Sequence, residues 1–111
     1  MPIKFNDACF RSTRMNHYTR LDFAVGSAGL MRHALAQAAH HTTWRRAFQK
    51  ALIDQPLMTN VIADLAVDVE AAAWLSFRFV HALDQESESE SERLLGRIGA
   101  PIAKYWICKR G

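Results

Sequence analysis

Apolar residues recur at helical spacing in two long runs, and only a short restart separates them. The first run puts Ala24, Ala28, Met31, Leu35 and Ala38 on one face, with Phe23, Leu30, Ala34, Trp44 and Phe48 near it. The second uses Met58, Val61, Ile62, Leu65, Val69, Ala72, Ala73, Leu75, Phe79, Val80 and Leu83, with Asp64, Asp68 and Arg78 on its wetter side. Between them Asp54-Gln55-Pro56 reads as a helix start, with Asp54 as N-cap and the proline in the first turn, where a missing N–H costs nothing. Two long helices with so short a connection predict an antiparallel hairpin.

Thr19-Arg20-Leu21-Asp22 reads as a capping box, which would start the first helix at Thr19. Running to about Lys50, that helix would be about 48 Å long. The small residues Gly26, Ser27, Ala28 and Gly29 would let another backbone approach it closely. Residues 1–15 show neither a helical nor an alternating period and are expected to be a loosely ordered leader. Residues 84–92 form a Ser/Glu repeat, expected to be a solvated acidic loop. A third helix then follows from about Arg93 to Arg110. Leu94, Leu95, Ile98, Ile102, Tyr105 and Trp106 lie on one side of it, and Pro101 is a candidate kink. The predicted fold is all-α: a long hairpin plus a third helix, an incomplete bundle whose apolar faces need further cover.

At 111 residues the chain is one domain or a piece of one. No apolar stretch approaches the roughly 20 residues that span a bilayer, and no signal-peptide pattern opens the chain. A cytoplasmic protein without membrane contact is the expectation, with Cys9 and Cys108 as free thiols. Charge is uneven. Residues 1–50 hold eight Lys/Arg against two Asp, residues 84–92 hold five carboxylates, and residues 93–111 hold five Lys/Arg. The basic ends suit a phosphate partner, whether duplex DNA, a dinucleotide or coenzyme A.

The five histidines have no metal-ligand spacing, and no nucleophile elbow, Walker loop or dinucleotide glycine motif occurs, so neither a metal site nor a catalytic residue is expected. What remains is the corner between the long helices, where Arg45, Arg46 and Phe48 stand opposite Gln55. A guanidinium fork suits a pyrophosphate, and an aromatic ring stacks on a planar cofactor. The same residues would equally complement a helix C-terminus and plug a hairpin core.

The order of segments matters more than any one of them. Thr19-Arg20, Arg45-x-x-Phe48, Asp54-Gln55-Pro56-Leu57-Met58 with Ala63-Asp64-Leu65, and Ala103 to Arg110 follow one another from about Asn16 to Gly111. This series resembles the C-terminal helical domain of the acyl-CoA dehydrogenases, in particular the AidB-like branch linked to the response to DNA alkylation. The resemblance implies a partial chain, over residues 16–111, of an FAD-dependent flavoprotein that oxidises the Cα–Cβ bond of an acyl-CoA. By position Arg45 resembles the arginine that reaches the FAD pyrophosphate across a subunit interface, and Phe48 the aromatic that packs on that cofactor. Leu52 and Gln55 fall where the family lines the adenine-side end of the pocket, and Thr19 and Arg20 where it borders the acyl-CoA. Partners implied are a homo-oligomer or further dehydrogenase domains.

Two departures bear on activity. The family usually has glycine after that phenylalanine, where this chain has Gln49; a positive φ there would cost about 1 kcal/mol. The catalytic glutamate of the family lies either downstream of the third helix or at the position of Thr19. A fragment that supplies flavin and oligomer contacts without a base is therefore expected. A helical DNA-binding or assembly module without dehydrogenase activity is the alternative.

Overall fold

The computed structural model describes residues 5–110, with side-chain surroundings from residue 12 onward. Helix α1 runs Phe5–Trp44, α2 Pro56–Asp84 and α3 Glu90–Arg110. Between α1 and α2 lie two short strands, β1 (Arg46–Ala47) and β2 (Lys50–Ala51), and a 3-10 turn, Leu52–Asp54. The all-α reading holds apart from that small hairpin. The particle measures 77 × 26 × 16 Å and its radius of gyration is 19.7 Å, against about 13 Å for a compact domain of this length. It is a thin slab of helices.

The start of α1 departs from the sequence reading. Residues 5–15 are helical and continue into α1 without a break; residues 1–4 lie outside the described residues. Thr19 is therefore not an N-cap. Its hydroxyl donates to the Met15 carbonyl at 2.9 Å, the mid-helix way of satisfying the same group. No glycine or proline interrupts residues 5–25, so a helix once formed propagates through them. Arg14 secures this first part by pairing with Glu86 at 3.1 Å. At the other end α1 stops at Trp44, six residues short of the expected Lys50.

Helix α2 opens as the proline requires, with Pro56 in its first turn, but Gln55 rather than Asp54 occupies the N-cap position. Asp54 is drawn into the 3-10 turn. The acidic repeat is also divided: residues 85–89 make the turn, while Glu90 and Glu92 belong to the first turn of α3. Carboxylates there face the positive end of the helix dipole. Arg78 donates two bonds to Glu92, at 2.8 and 3.0 Å, and these hold its carboxyl below the usual carboxylate range.

The core is built from small residues. Leu21, Ala24, Ala28, Ala72, Phe79, Ala103 and Ile107 form its buried cluster, with Met31, Leu75, Val80, Leu83, Leu95 and Trp106 packed against it. The face of α3 that sits on the hairpin is Gly96, Gly99, Ala100, Ala103 and Ile107. Leu94, Ile98, Ile102 and Tyr105, expected on the packing side, point outward. The reason is close approach. A Cβ on Gly99 would fall 1.9 Å from Cε1 of Phe79, so α3 can lie this near α2 only with glycine at that place. Gly26 and Gly29, by contrast, face open space.

The far end of α3 is tied as well. Arg110 pairs with Asp68 at 2.6 Å. Cys108, a free and exposed thiol, lies 3.3 Å from the Ser27 hydroxyl; Cys9 lies outside the residues whose side chains are described. These partly exposed pairs each contribute at most about 1 kcal/mol. Small-residue packing carries the rest.

The two strands are joined by a tight turn. Arg46 pairs with Ala51 and Ala47 with Lys50, leaving Phe48 and Gln49 as a two-residue loop. Both have positive φ, 52° and 68°. That is the pattern of a type I′ turn, which favours asparagine and glycine.

Two stability predictions follow from these close contacts. Gly99→Ala should lower the unfolding free energy by about 1–3 kcal/mol through overpacking, although alanine is the better helix former by about 1 kcal/mol. Gln49→Gly should raise it by about 0.5–1 kcal/mol by removing a left-handed non-glycine residue. Urea unfolding followed by circular dichroism reads both. A stabilised Gly99→Ala or a destabilised Gln49→Gly would contradict the packing and the turn described.

Candidate functional site

The corner between α1 and α2 is held by main-chain and side-chain bonds that leave its tip free. The Arg45 N–H still donates to the His41 carbonyl at 2.9 Å, closing the last turn of α1. The Arg45 carbonyl then accepts from Leu52 N–H at 2.8 Å, which closes the base of the hairpin. Gln55 reaches back eight residues and donates its side-chain amide to the Ala47 carbonyl at 3.1 Å. Arg46 donates to the Gln49 carbonyl at 3.1 Å, fastening one strand to the loop. Thr59, in the first turn of α2, donates to Ile53 and Gln55 carbonyls at 2.7 and 3.1 Å.

The structure thus brings Arg45, Phe48, Leu52 and Gln55 to one corner, as the sequence order suggested, and gives them unequal parts. Phe48 is 94% exposed, at the tip of the loop. Arg45 is exposed, and its guanidinium makes no hydrogen bond or ion pair among the described residues. Leu52 is half-buried beneath the hairpin, and Gln55, also half-buried, serves as the brace. Arg46, adjacent to Arg45 in sequence, is engaged with Gln49. The corner therefore offers a planar cation and an aromatic ring on a scaffold whose own hydrogen bonds are satisfied. Such a pair can hold an anionic group beside a flat ring system.

Thr19 and Arg20 lie elsewhere. They precede Arg45, the residue after the end of α1, by 25–26 positions, about 38 Å of helix rise. The two sets cannot meet on one small ligand within a single chain. Arg20 is exposed on the part of α1 that packs beside α3, where the His17 ring lies opposite Gly96. Burial there pushes His17 below its ordinary pKa; Glu86 opposes the shift, while Arg20 and Arg97 add to it. Sequence reasoning missed this seam. Its signal was the series His17, Leu21, Ala24, Ala28, which carries the buried face upstream of the supposed cap at Thr19. Lys104 of α3 lies 5.6 Å from the Phe23 ring along the same seam.

Among the described residues no three His, Cys, Asp or Glu side chains converge on a common point. No helix is long and apolar enough to cross a membrane among the same residues.

Comparison with known proteins bears directly on this geometry. AidB of Escherichia coli (strain K12), which carries the name of an acyl-CoA dehydrogenase, is 40% identical over 98 residues, covering 88% of this chain and 18% of that protein. Glutaryl-CoA dehydrogenase of Desulfococcus multivorans is 35% identical over 91 residues, covering 82% of this chain and 22% of its own length. Acyl-CoA dehydrogenase family member 11 of Caenorhabditis elegans is 28% identical over 101 residues. The chain thus spans about a fifth of the length of the curated relatives it matches first. No solved structure gives a significant match. The family model described as acyl-CoA dehydrogenase, C-terminal domain, matches residues 11–111, nearly the whole chain. With three helices in the arrangement described and relatives of that kind, the chain belongs to the acyl-CoA dehydrogenase C-terminal domain family.

Proposed function

We propose that the hairpin corner is one wall of a flavin pocket in an FAD-dependent, acyl-CoA-oxidising flavoprotein, presented to a cofactor held mainly by other domains or another subunit. The observation that carries this reading is the state of Phe48. A ring 94% exposed at the tip of a turn with two left-handed non-glycine residues is held in the open at a cost. Such strain is kept where a ligand or partner makes use of it. The residues present suit the cofactor: the Arg45 fork, unpaired among the described residues, matches a pyrophosphate, Phe48 offers a stacking face, and Leu52 gives an apolar edge beside it.

FAD, when bound, would supply the hydride acceptor for oxidation of an acyl-CoA thioester. Arg45 would neutralise and orient the diphosphate, Phe48 would exclude water from one face, and Gln55 keeps the turn in register through Ala47. Thr19 and Arg20 border the acyl-CoA of a separate pocket, consistent with their distance from Arg45. Thr19 offers no carboxylate, so this segment orients and assembles while the proton is taken by a group elsewhere.

Duplex DNA is the second reading, and one observation favours it. Arg20, Arg97 and Lys104 are exposed along the α1–α3 seam, a cationic row remote from the corner.

The test is a hybrid in which residues 16–111 replace the matching segment of the Escherichia coli relative. Flavin should be retained, and Arg45→Ala should weaken it tenfold or more, the equivalent of losing about 1.5–3 kcal/mol of charge-assisted bonding. Flavin affinity unchanged by Arg45→Ala, in a hybrid of normal helicity, would refute the corner as a cofactor wall. Salt-dependent duplex binding lost in Arg20→Ala/Lys104→Ala would instead support the second reading.

A further inference from the structure

Two arginines adjacent in sequence have different surroundings at the corner. Arg45, at the mouth of the hairpin, is exposed. Arg46, the first residue of β1, donates from its guanidinium to the Gln49 carbonyl at 3.1 Å. The other bonds of the corner end short of the tip. Leu52 N–H bonds the Arg45 carbonyl, the Gln55 amide bonds the Ala47 carbonyl, and Thr59 bonds the Ile53 and Gln55 carbonyls. Phe48 and Gln49, with φ of 52° and 68°, both sit in the left-handed region, which side-chain-bearing residues disfavour. Both are exposed, so burial does not hold them there. Among the described residues, the Arg46 bond is the side-chain contact that reaches either of the two.

From this arrangement we infer that Arg46 is a positioning residue for the cofactor contact made by Phe48. Its guanidinium clasps the Gln49 carbonyl in the orientation that two positive φ angles impose. The clasp takes over the task that glycine performs in a turn of this type, where the left-handed backbone is otherwise disfavoured. A guanidinium suits this task better than an ammonium, because it presents its donors in a fixed planar fork. Holding the loop matters at a binding surface, since apparent affinity falls with the fraction of molecules whose site is competent. This role for Arg46 rests on the corner being a flavin wall. Arg46 acts through the turn and not on the cofactor, so Arg45 and Arg46 contribute to one site by different means.

Two measurements separate the clasp from the wall. In the 111-residue chain, Arg46→Ala should quicken amide hydrogen exchange across residues 46–51 by about three- to tenfold, with exchange within α2 unchanged. In the hybrid with the Escherichia coli relative, the same substitution should weaken flavin binding by about three- to tenfold, as the competent loop is depopulated. Arg46→Lys, which keeps the charge and loses the fork, should fall between. Adding Gln49→Gly to Arg46→Ala should restore most of the lost affinity, because a glycine needs no clasp. A charge acting directly on the pyrophosphate would not be replaced in that way. Exchange indifferent to Arg46→Ala overturns the clasp, whatever the flavin does. If Arg45→Ala weakens flavin binding and Arg46→Ala does not, or if Gln49→Gly gives no rescue, the positioning role falls and the wall stands. Flavin binding insensitive to both arginines removes the wall, and the cofactor role of Arg46 with it, even where the hairpin loosens as expected.

Discussion

The contact between Phe79 and Gly99 sets the geometry on which the other features depend. A ring packed where any side chain would collide fixes how near α3 comes to α2 and in which register. That register places Gly96 opposite His17 and Ala103 and Ile107 in the buried cluster. It also sets Arg110 beside Asp68. Packing of small residues brings more backbone together than packing of large ones, so dispersion and apolar burial are gained along the whole seam. It also turns the bulky residues of α3 outward, which adds to the exposed apolar surface of the slab.

One consequence is a division of labour along α1. Its first half is clamped under α3 and has Thr19 and Arg20 on its surface, whereas its last part runs on to the hairpin. The corner is stabilised locally, by Leu52 to Arg45, Gln55 to Ala47 and Thr59 to Ile53. A surface held by its own short bonds keeps its shape until a partner arrives, and it avoids part of the ordering cost of binding. That is the physical case for Arg45 and Phe48 as prepared contacts rather than frayed helix ends.

Much of the fold was legible because helical periodicity survives averaging over twenty or more residues. The long runs around Ala24–Ala38 and Met58–Leu83 and the proline at α2's start all fell where the pattern put them. What was not legible depended on single contacts. Thr19 followed by Asp22 satisfies the rule for a cap, yet the same hydroxyl is equally content bonding Met15 inside a helix. The inward face of α3 was misjudged because hydrophobic weight favours Leu94, Ile98 and Tyr105, whereas close approach favours Gly99 and Ala103. The β-hairpin was invisible since Phe48-Gln49 lacks the Asn-Gly signature that normally marks such a turn. The site residues gathered at the corner because sequence order carries them there; their division into brace and exposed contact required the hydrogen bonds.

The most direct test of the account is the structure of a flavin-loaded assembly that contains this segment. It should place the Arg45 guanidinium within about 3 Å of a pyrophosphate oxygen and the Phe48 ring against the cofactor, with the Gln55–Ala47 bond intact. A cofactor whose pyrophosphate is neutralised by other groups, with Arg45 and Phe48 still in solvent, would contradict it.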